Sequence, residues 1–143
     1  MNGWKAGALV GVGIVLGAAG LAAAQAVLPA ATKGYSGGRL GRIDLGKAFP
    51  DLQGYVLQVS RLDLPPQGGG LPLHSHKEMP EIVYIVSGHI TEQINGGPIE
   101  TYGPGSALVY DETVSHSEVN LGTEPVVYIG AHVAKAARPA PKP

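Results

Sequence analysis

The chain has 143 residues, with 22 glycines, 12 prolines, no cysteine and a formal net charge of −1. That length holds one ordinary domain, and the missing cysteine excludes a disulfide framework, a lipoprotein cysteine and thiolate metal ligands while leaving the compartment open. No basic patch argues for nucleic acid.

Lys5 is followed by no charged residue until Lys33, and residues 6 to 24 are apolar and rich in Ala, Gly, Val and Leu. One early positive charge, a hydrophobic run and small residues fit a secretory signal peptide over residues 1–26. Ala22-Ala23-Ala24 and Ala24-Gln25-Ala26 are A-x-A-like cleavage sites within it. The second reading is an uncleaved membrane anchor, because the run approaches the ~20 residues that span a bilayer. Both readings place the remainder outside the cytoplasm: periplasmic or secreted after cleavage, or anchored and facing outward. A membrane is a partner only if the segment is uncleaved.

Residues 27–40 read as a linker, most plainly from 29 to 38. A barrel is expected over residues 41–133, beginning with a short strand within 41 to 49. A β-rich run over 54 to 64 is stopped by Pro65-Pro66. Pro72 marks the start of the next strand, with Leu71 and Leu73 packing on the face opposite His74 and His76. Residues 82 to 86 are apolar at every position and predict a strand buried on both sides, against a second sheet or a partner subunit. A homodimer is compatible with that pattern.

Further strands follow over 89 to 94, 99 to 102, 107 to 110, 114 to 119 and 126 to 133. Asn95-Gly96-Gly97 is a hairpin signal, since these residues accept positive φ. Short strands separated by turn residues are the all-β pattern. Residues 134–143, mainly alanine, proline and basic residues, have little to bury and read as a disordered tail.

His74-Ser75-His76, Glu81 and His116 carry the chemistry. Histidines at i and i+2 share one face of a strand. Glu81 lies an odd number of residues beyond His76, so an unbroken strand would turn it away; Pro80 breaks the segment and can reset the phase. His116 must arrive from a separate strand. Three imidazoles and a carboxylate suit one divalent transition metal: Fe, Mn, Ni, Cu or Zn.

Glu118 is two residues from His116. In a regular strand it shares the interior and is the catalytic candidate, as general base or orienting group. If the strand ends early it is solvated, the reading favoured because charges are rarely buried without a partner. His132 and His89 read as structural or exposed. Tyr84, Tyr102, Tyr110 and Tyr128 read as packing residues with hydrogen-bonded tips.

Residues 78 to 134 contain no lysine or arginine but eight acidic residues. A phosphate or dicarboxylate clamp would have to come from Arg61, Lys77 or the early segment. A neutral small molecule, aromatic ones included, fits a site lined by Val83 and Ile85 better.

Gly68, five residues, His74-x-His76, four residues, Glu81, six residues and Gly88 resemble the first signature motif of the cupin superfamily. Gly105, five residues, Asp111-x-Thr113-x-x-His116, three residues and Asn120 resemble the second. The family pattern prefers proline and glycine at positions 111 and 113, which shape a turn. The resemblance, to small single-domain cupins of the quercetin-dioxygenase-like kind, implies a double-stranded β-helix, a jelly-roll barrel. It implies His74, His76, Glu81 and His116 as ligands of one metal. Fold does not fix the reaction. Two functions stand: a metal-dependent, dioxygenase-like enzyme acting on a small neutral organic molecule, or a non-catalytic small-ligand-binding or metal-stabilised scaffold protein.

Overall fold

A computed structural model describes residues 28–136. The expected signal or anchor segment and residues 137 to 143 of the tail lie outside the described residues. Among the described residues no helix is long and apolar enough to cross a membrane.

Nine strands occur among the described residues: β1 (Ser36–Asp44), β2 (Tyr55–Leu64), β3 (Gly69–Ser75), β4 (Glu81–Ser87), β5 (Ile90–Ile94), β6 (Ile99–Tyr102), β7 (Ala107–Tyr110), β8 (Ser115–Asn120) and β9 (Val126–Lys135). Two antiparallel sheets result, ordered β1-β2-β9-β4-β7 and β3-β8-β5-β6. From β2 onward the chain crosses repeatedly from one sheet to the other, and only β5 and β6 are consecutive in the same sheet. This exchange makes the jelly roll, with a core between the sheets. The all-β jelly-roll expectation holds.

Strand pairing extends the barrel past the limits that local composition suggested. β1 begins at Ser36, inside the stretch read as linker, because residues 36 to 39 find partners on β2. β9 runs to Lys135 because Ala134 and Lys135 pair with Val56 and Tyr55.

The turn chemistry acts as expected. β2 ends at Leu64, just before Pro65-Pro66. Asn95 (φ 49°) and Gly96 (φ 69°) turn the β5–β6 hairpin.

Leu64, Val83, Ile85, Ile90, Leu108, Val126 and Tyr128 form the apolar core. β4 corrects one part of an expectation, that a second sheet of the chain covers its outer face. Val83 and Ile85 are buried, whereas Ile82, Tyr84 and Val86 are each about half exposed (53%, 50% and 49%). β4 lies inside its sheet between β9 and β7, so it has one inward face, and among the described residues no second layer covers the other.

β3 corrects another. Its pairing with β8 shifts register between Leu71 and His74. Leu71 and Pro72 therefore both line the cavity, while Leu73 is exposed. Pro72 sits within β3 rather than at its start, tolerated on an edge strand that needs no donor there.

Candidate metal centre

β3 carries His74, β8 carries His116 directly across from it, and His76 follows the end of β3. The His76 backbone N–H donates to the Val114 carbonyl at 3.0 Å, which ties the β3 exit to the approach of β8. The segment from 76 to 80 breaks the strand, and Glu81 opens β4 in phase with the buried Val83 and Ile85. The odd spacing to Glu81 is thus resolved by a change of strand.

Each ring nitrogen Nδ1 faces an oxygen: Pro72 O at 2.9 Å from His74, Met79 O at 3.0 Å from His76, and Glu92 Oε2 at 2.8 Å from His116. Carbonyl and carboxylate oxygens accept, so each Nδ1 carries the hydrogen. A neutral imidazole then holds a bare lone pair on Nε2. The Nε2 atoms of His76 and His116 lie 3.0 Å apart, and ligand nitrogens of all three rings fall within 4.8 Å of one another. Lone pairs so placed repel unless a cation shares them. At the ~2.0–2.1 Å bond length usual for imidazole ligands, one ion can serve His76 and His116 together. Burial also holds His74 and His76 below the ordinary imidazole pKa, in the neutral form that ligates.

Glu92 was not singled out by sequence reasoning. It is 1% exposed. One oxygen accepts from His116 and, at 2.9 Å, from the Tyr110 hydroxyl. A carboxylate behind a ligating histidine fixes its tautomer and raises its basicity. Glu92 Oε1 has no hydrogen-bond partner among the described residues. The available signal was parity: Glu92 falls between Ile90 and Ile94 on one face of β5. Tyr110 adds a wall, stacking on His76 and His116 with centroids 4.8 and 4.1 Å away.

Glu81 lines the same cavity as His74 and His116 but stands outside the three-histidine cluster. One of its oxygens is 3.9 Å from His76 Nδ1 and the other 3.7 Å from His132 Nδ1. Burial, with Glu118 close by, pushes its carboxyl up to about 7. His132 is Glu81's cross-strand partner and is largely buried beside it rather than exposed. His89 is exposed, as expected, with its ring edge beside Gly103.

Glu118 is 2% exposed, which corrects the favoured solvated reading. Its missing partner is the Tyr128 hydroxyl, which donates to Oε1 at 2.7 Å. Burial raises the Glu118 carboxyl, and the Tyr128 bond offsets part of that. Tyr110 and Tyr128 are therefore packing residues with bonded tips, and Tyr84 is exposed.

The turn before His116 is sound despite lacking the family's proline and glycine. Asp111 Oδ1 accepts from the Thr113 backbone N–H at 2.8 Å and its hydroxyl at 2.6 Å. The Val114 N–H donates to the Asp111 carbonyl at 3.1 Å. A local side-chain bond replaces a rigid ring.

The cavity beside the histidines has a volume of about 300 Å³, and among the described residues no lysine or arginine lines it.

The model of the family described as "Cupin domain" matches residues 60–132, just over half of the chain. Germin-like protein 1 of Brassica napus is 32% identical over 81 residues, 54% of this chain and 39% of that protein. Auxin-binding protein ABP19b of Prunus persica is 31% identical over 83 residues, 55% of this chain and 39% of that protein. The chain thus spans about two-fifths of the length of these curated relatives. Among solved structures, the Cnp3 cupin domain of Schizosaccharomyces pombe superposes with a TM-score of 0.58 at 14% identity, covering 73% of this chain and 67% of that one. The polyketide cyclase RemF of Streptomyces resistomycificus gives 0.55 at 23%, covering 78% and 73%. These likenesses carry the fold alone.

Proposed function

This chain belongs to the cupin family, and on that premise we propose that it is an exported, metal-dependent oxidoreductase, dioxygenase-like, acting on a small neutral organic molecule. The observation that carries the proposal is the convergence of imidazole lone pairs whose Nδ1 hydrogens are already committed elsewhere. His74, His76 and His116 would hold the ion. Glu81, in the same cavity, is the fourth ligand of the proposal. Imidazole and carboxylate donors suit Fe, Mn, Ni, Cu or Zn. When bound, a redox-active ion supplies electron transfer between O₂ and an organic substrate, and a non-redox ion supplies Lewis-acid polarisation.

The chain's own residues supply the rest. Leu62, Leu71 and Val83 give the cavity apolar walls that exclude water. Glu118 is buried with a raised pKa, suited to taking or giving a proton at its carboxyl, and the Tyr128 hydroxyl fixes its orientation. Among the described residues the cavity lining has no lysine or arginine and so lacks a clamp for a phosphate or dicarboxylate, which supports a neutral ligand. At about 300 Å³ it lies at the small end of ligand pockets, which run from ~300 to 1,000 Å³.

The test is elemental analysis of protein purified without chelators, followed by oxygen uptake with phenolic compounds. The Glu118→Gln variant should keep its metal and lose turnover. Protein that carries no stoichiometric metal overturns the proposal. Export is tested separately by N-terminal sequencing of the mature protein, where a start at Met1 sinks cleavage.

The second reading is a non-catalytic small-ligand binder. Relatives named auxin-binding proteins, from Prunus persica, favour it. Under this reading Glu118→Gln leaves metal and ligand binding in place, and no wild-type turnover is found with any substrate.

A further inference from the structure

We propose that Tyr35, carried on the strap of residues 32 to 35, is the specificity-determining residue of the cavity. It closes the mouth and limits the length of ligand admitted. This inference rests on the cavity being the ligand site proposed above.

The strap joins the two sheets at their open edges. β3 is the edge of one sheet and β1 the edge of the other. Lys33 pairs with Gly70 on β3 in both directions, N–H to carbonyl at 3.0 Å each way. Three residues later, at Ser36, the chain is already paired to β2 as β1. Tyr35, between these anchor points, and Thr32, just before the first, line the cavity together with His74, His116 and Glu118 from the strands.

The path of the strap is held locally. Gly34 has φ +65°, and a Cβ there would overlap the Pro65 ring. The Lys33 ammonium adds a bond to the Gln67 carbonyl at 3.3 Å. Tyr35 itself is 37% exposed, so its ring has one side toward solvent and one toward the cavity. Burial and the nearby Glu81 and Glu118 push its hydroxyl up to about 12. The phenol therefore stays protonated at neutral pH and offers a hydrogen bond to a ligand hydroxyl or carbonyl. Such a gate suits compact neutral molecules with one polar group.

Because, among the described residues, the strap adds one backbone pair to β3, it can open while both sheets stay intact. Two measurements test the proposal. In metal-free protein, diethyl pyrocarbonate labelling followed by peptide mass spectrometry compares His74 and His116 with His89, which lies away from the cavity. Tyr35→Ala, which removes the ring that covers the mouth, and Gly34→Ala, which displaces the strap, should each raise the ratio of cavity to reference labelling about tenfold, a shift of ~1.4 kcal/mol in closure. Tyr35→Phe should leave that ratio at the wild-type value, since it keeps the ring.

In Co(II)-loaded protein, visible spectra compare imidazole with 4-phenylimidazole. Tyr35→Ala should tighten the longer probe about tenfold and leave imidazole unchanged. Unchanged labelling ratios in both alanine variants overturn the gate. Equal effects on the two probes overturn the length selection. Failure of the wild type to bind Co(II) counts against the metal reading, while the labelling ratio still decides the gate.

Discussion

His76 and His116 meet Nε2 to Nε2 at 3.0 Å, although forty residues separate them. Neither ring can relieve the contact by changing tautomer. His76 Nδ1 is committed to the Met79 carbonyl and His116 Nδ1 to Glu92. The sheet architecture thus builds a pair of electron donors without a proton between them. That favours a cation and explains why Glu92 should matter as much as a ligand does.

Replacing Glu92 tests this directly. Glu92→Ala removes the acceptor that orients His116 and strands the Tyr110 hydroxyl. Metal affinity should fall about 10- to 100-fold, the usual cost of losing such a supporting group. Glu92→Gln keeps an acceptor oxygen but not the charge, and should fall between the wild type and the alanine variant. Competition against a chromophoric chelator measures both, and an unchanged affinity in Glu92→Ala would falsify the supporting role.

The pH dependence of the metal-free protein has a definite sign. The Glu81 carboxyl rises from 4.5 to about 7 on folding. Between those values the folded state keeps a proton that the unfolded state has released, so stability is lost as pH rises across the window. The loss is at most about 3 kcal/mol. His74 and His76 act oppositely. Their lowered values mean the unfolded state takes up protons first, so stability is lost as pH falls below 6.5. Glu81→Gln isolates the first effect. Its stability in chelator, relative to wild type, should rise from pH 4.5 to pH 7.5 by up to about 3 kcal/mol in urea denaturation. A constant difference across that range would rule out the buried, proton-holding Glu81.

The uncovered face of β4 makes a prediction about assembly. Ile82, Tyr84 and Val86 are about half exposed, and Val109, paired beside Ile82 on β7, is 65% exposed. Contiguous exposed apolar side chains mark interaction surfaces. The proposed homodimer would cover them. Light scattering should give twice the chain mass for wild type and the single-chain mass for Val109→Glu. A wild-type mass of one chain at high concentration removes the homodimer.

Much of this molecule was legible in local sequence. Alternation, Pro65-Pro66 and Asn95-Gly96 located most strands because those signals act within a few residues. His74, His76 and His116 converge as their spacing implied. What was not legible depends on partners distant in sequence. Glu118 reads as solvated until Tyr128, ten residues away, supplies its hydrogen bond. Glu92 reads as one more surface acid until β5 and β8 place it across from Glu118 and behind His116. β4 reads as doubly buried because composition cannot tell an apolar face that is covered from one that is left open.

Gly130 has no side chain, yet a site carboxylate depends on it. Gly130 lies on β9 opposite Val83. A Cβ built there would overlap Glu81 Oε1 and stand 3.1 Å from Glu81 Cδ and 3.3 Å from Leu62 Cδ1. Both neighbours are partly buried and line the cavity, and the overlapped atom is the far end of the Glu81 side chain, so Glu81 must move. Gly130→Ala should cost about 1 kcal/mol of stability, the low end for overpacked positions, and should weaken metal binding if Glu81 is a ligand. Gly38 is the control: nothing lies within 4 Å of a Cβ there. Gly38→Ala should be neutral or stabilising by up to ~1 kcal/mol through the unfolded chain. Urea midpoints and metal titrations on the two variants separate the effects. If Gly130→Ala behaves like Gly38→Ala in both, Glu81 does not occupy the space that Gly130 leaves. If stability falls while metal affinity holds, Glu81 packs beside the histidines without ligating, and the ion depends on the three imidazoles alone.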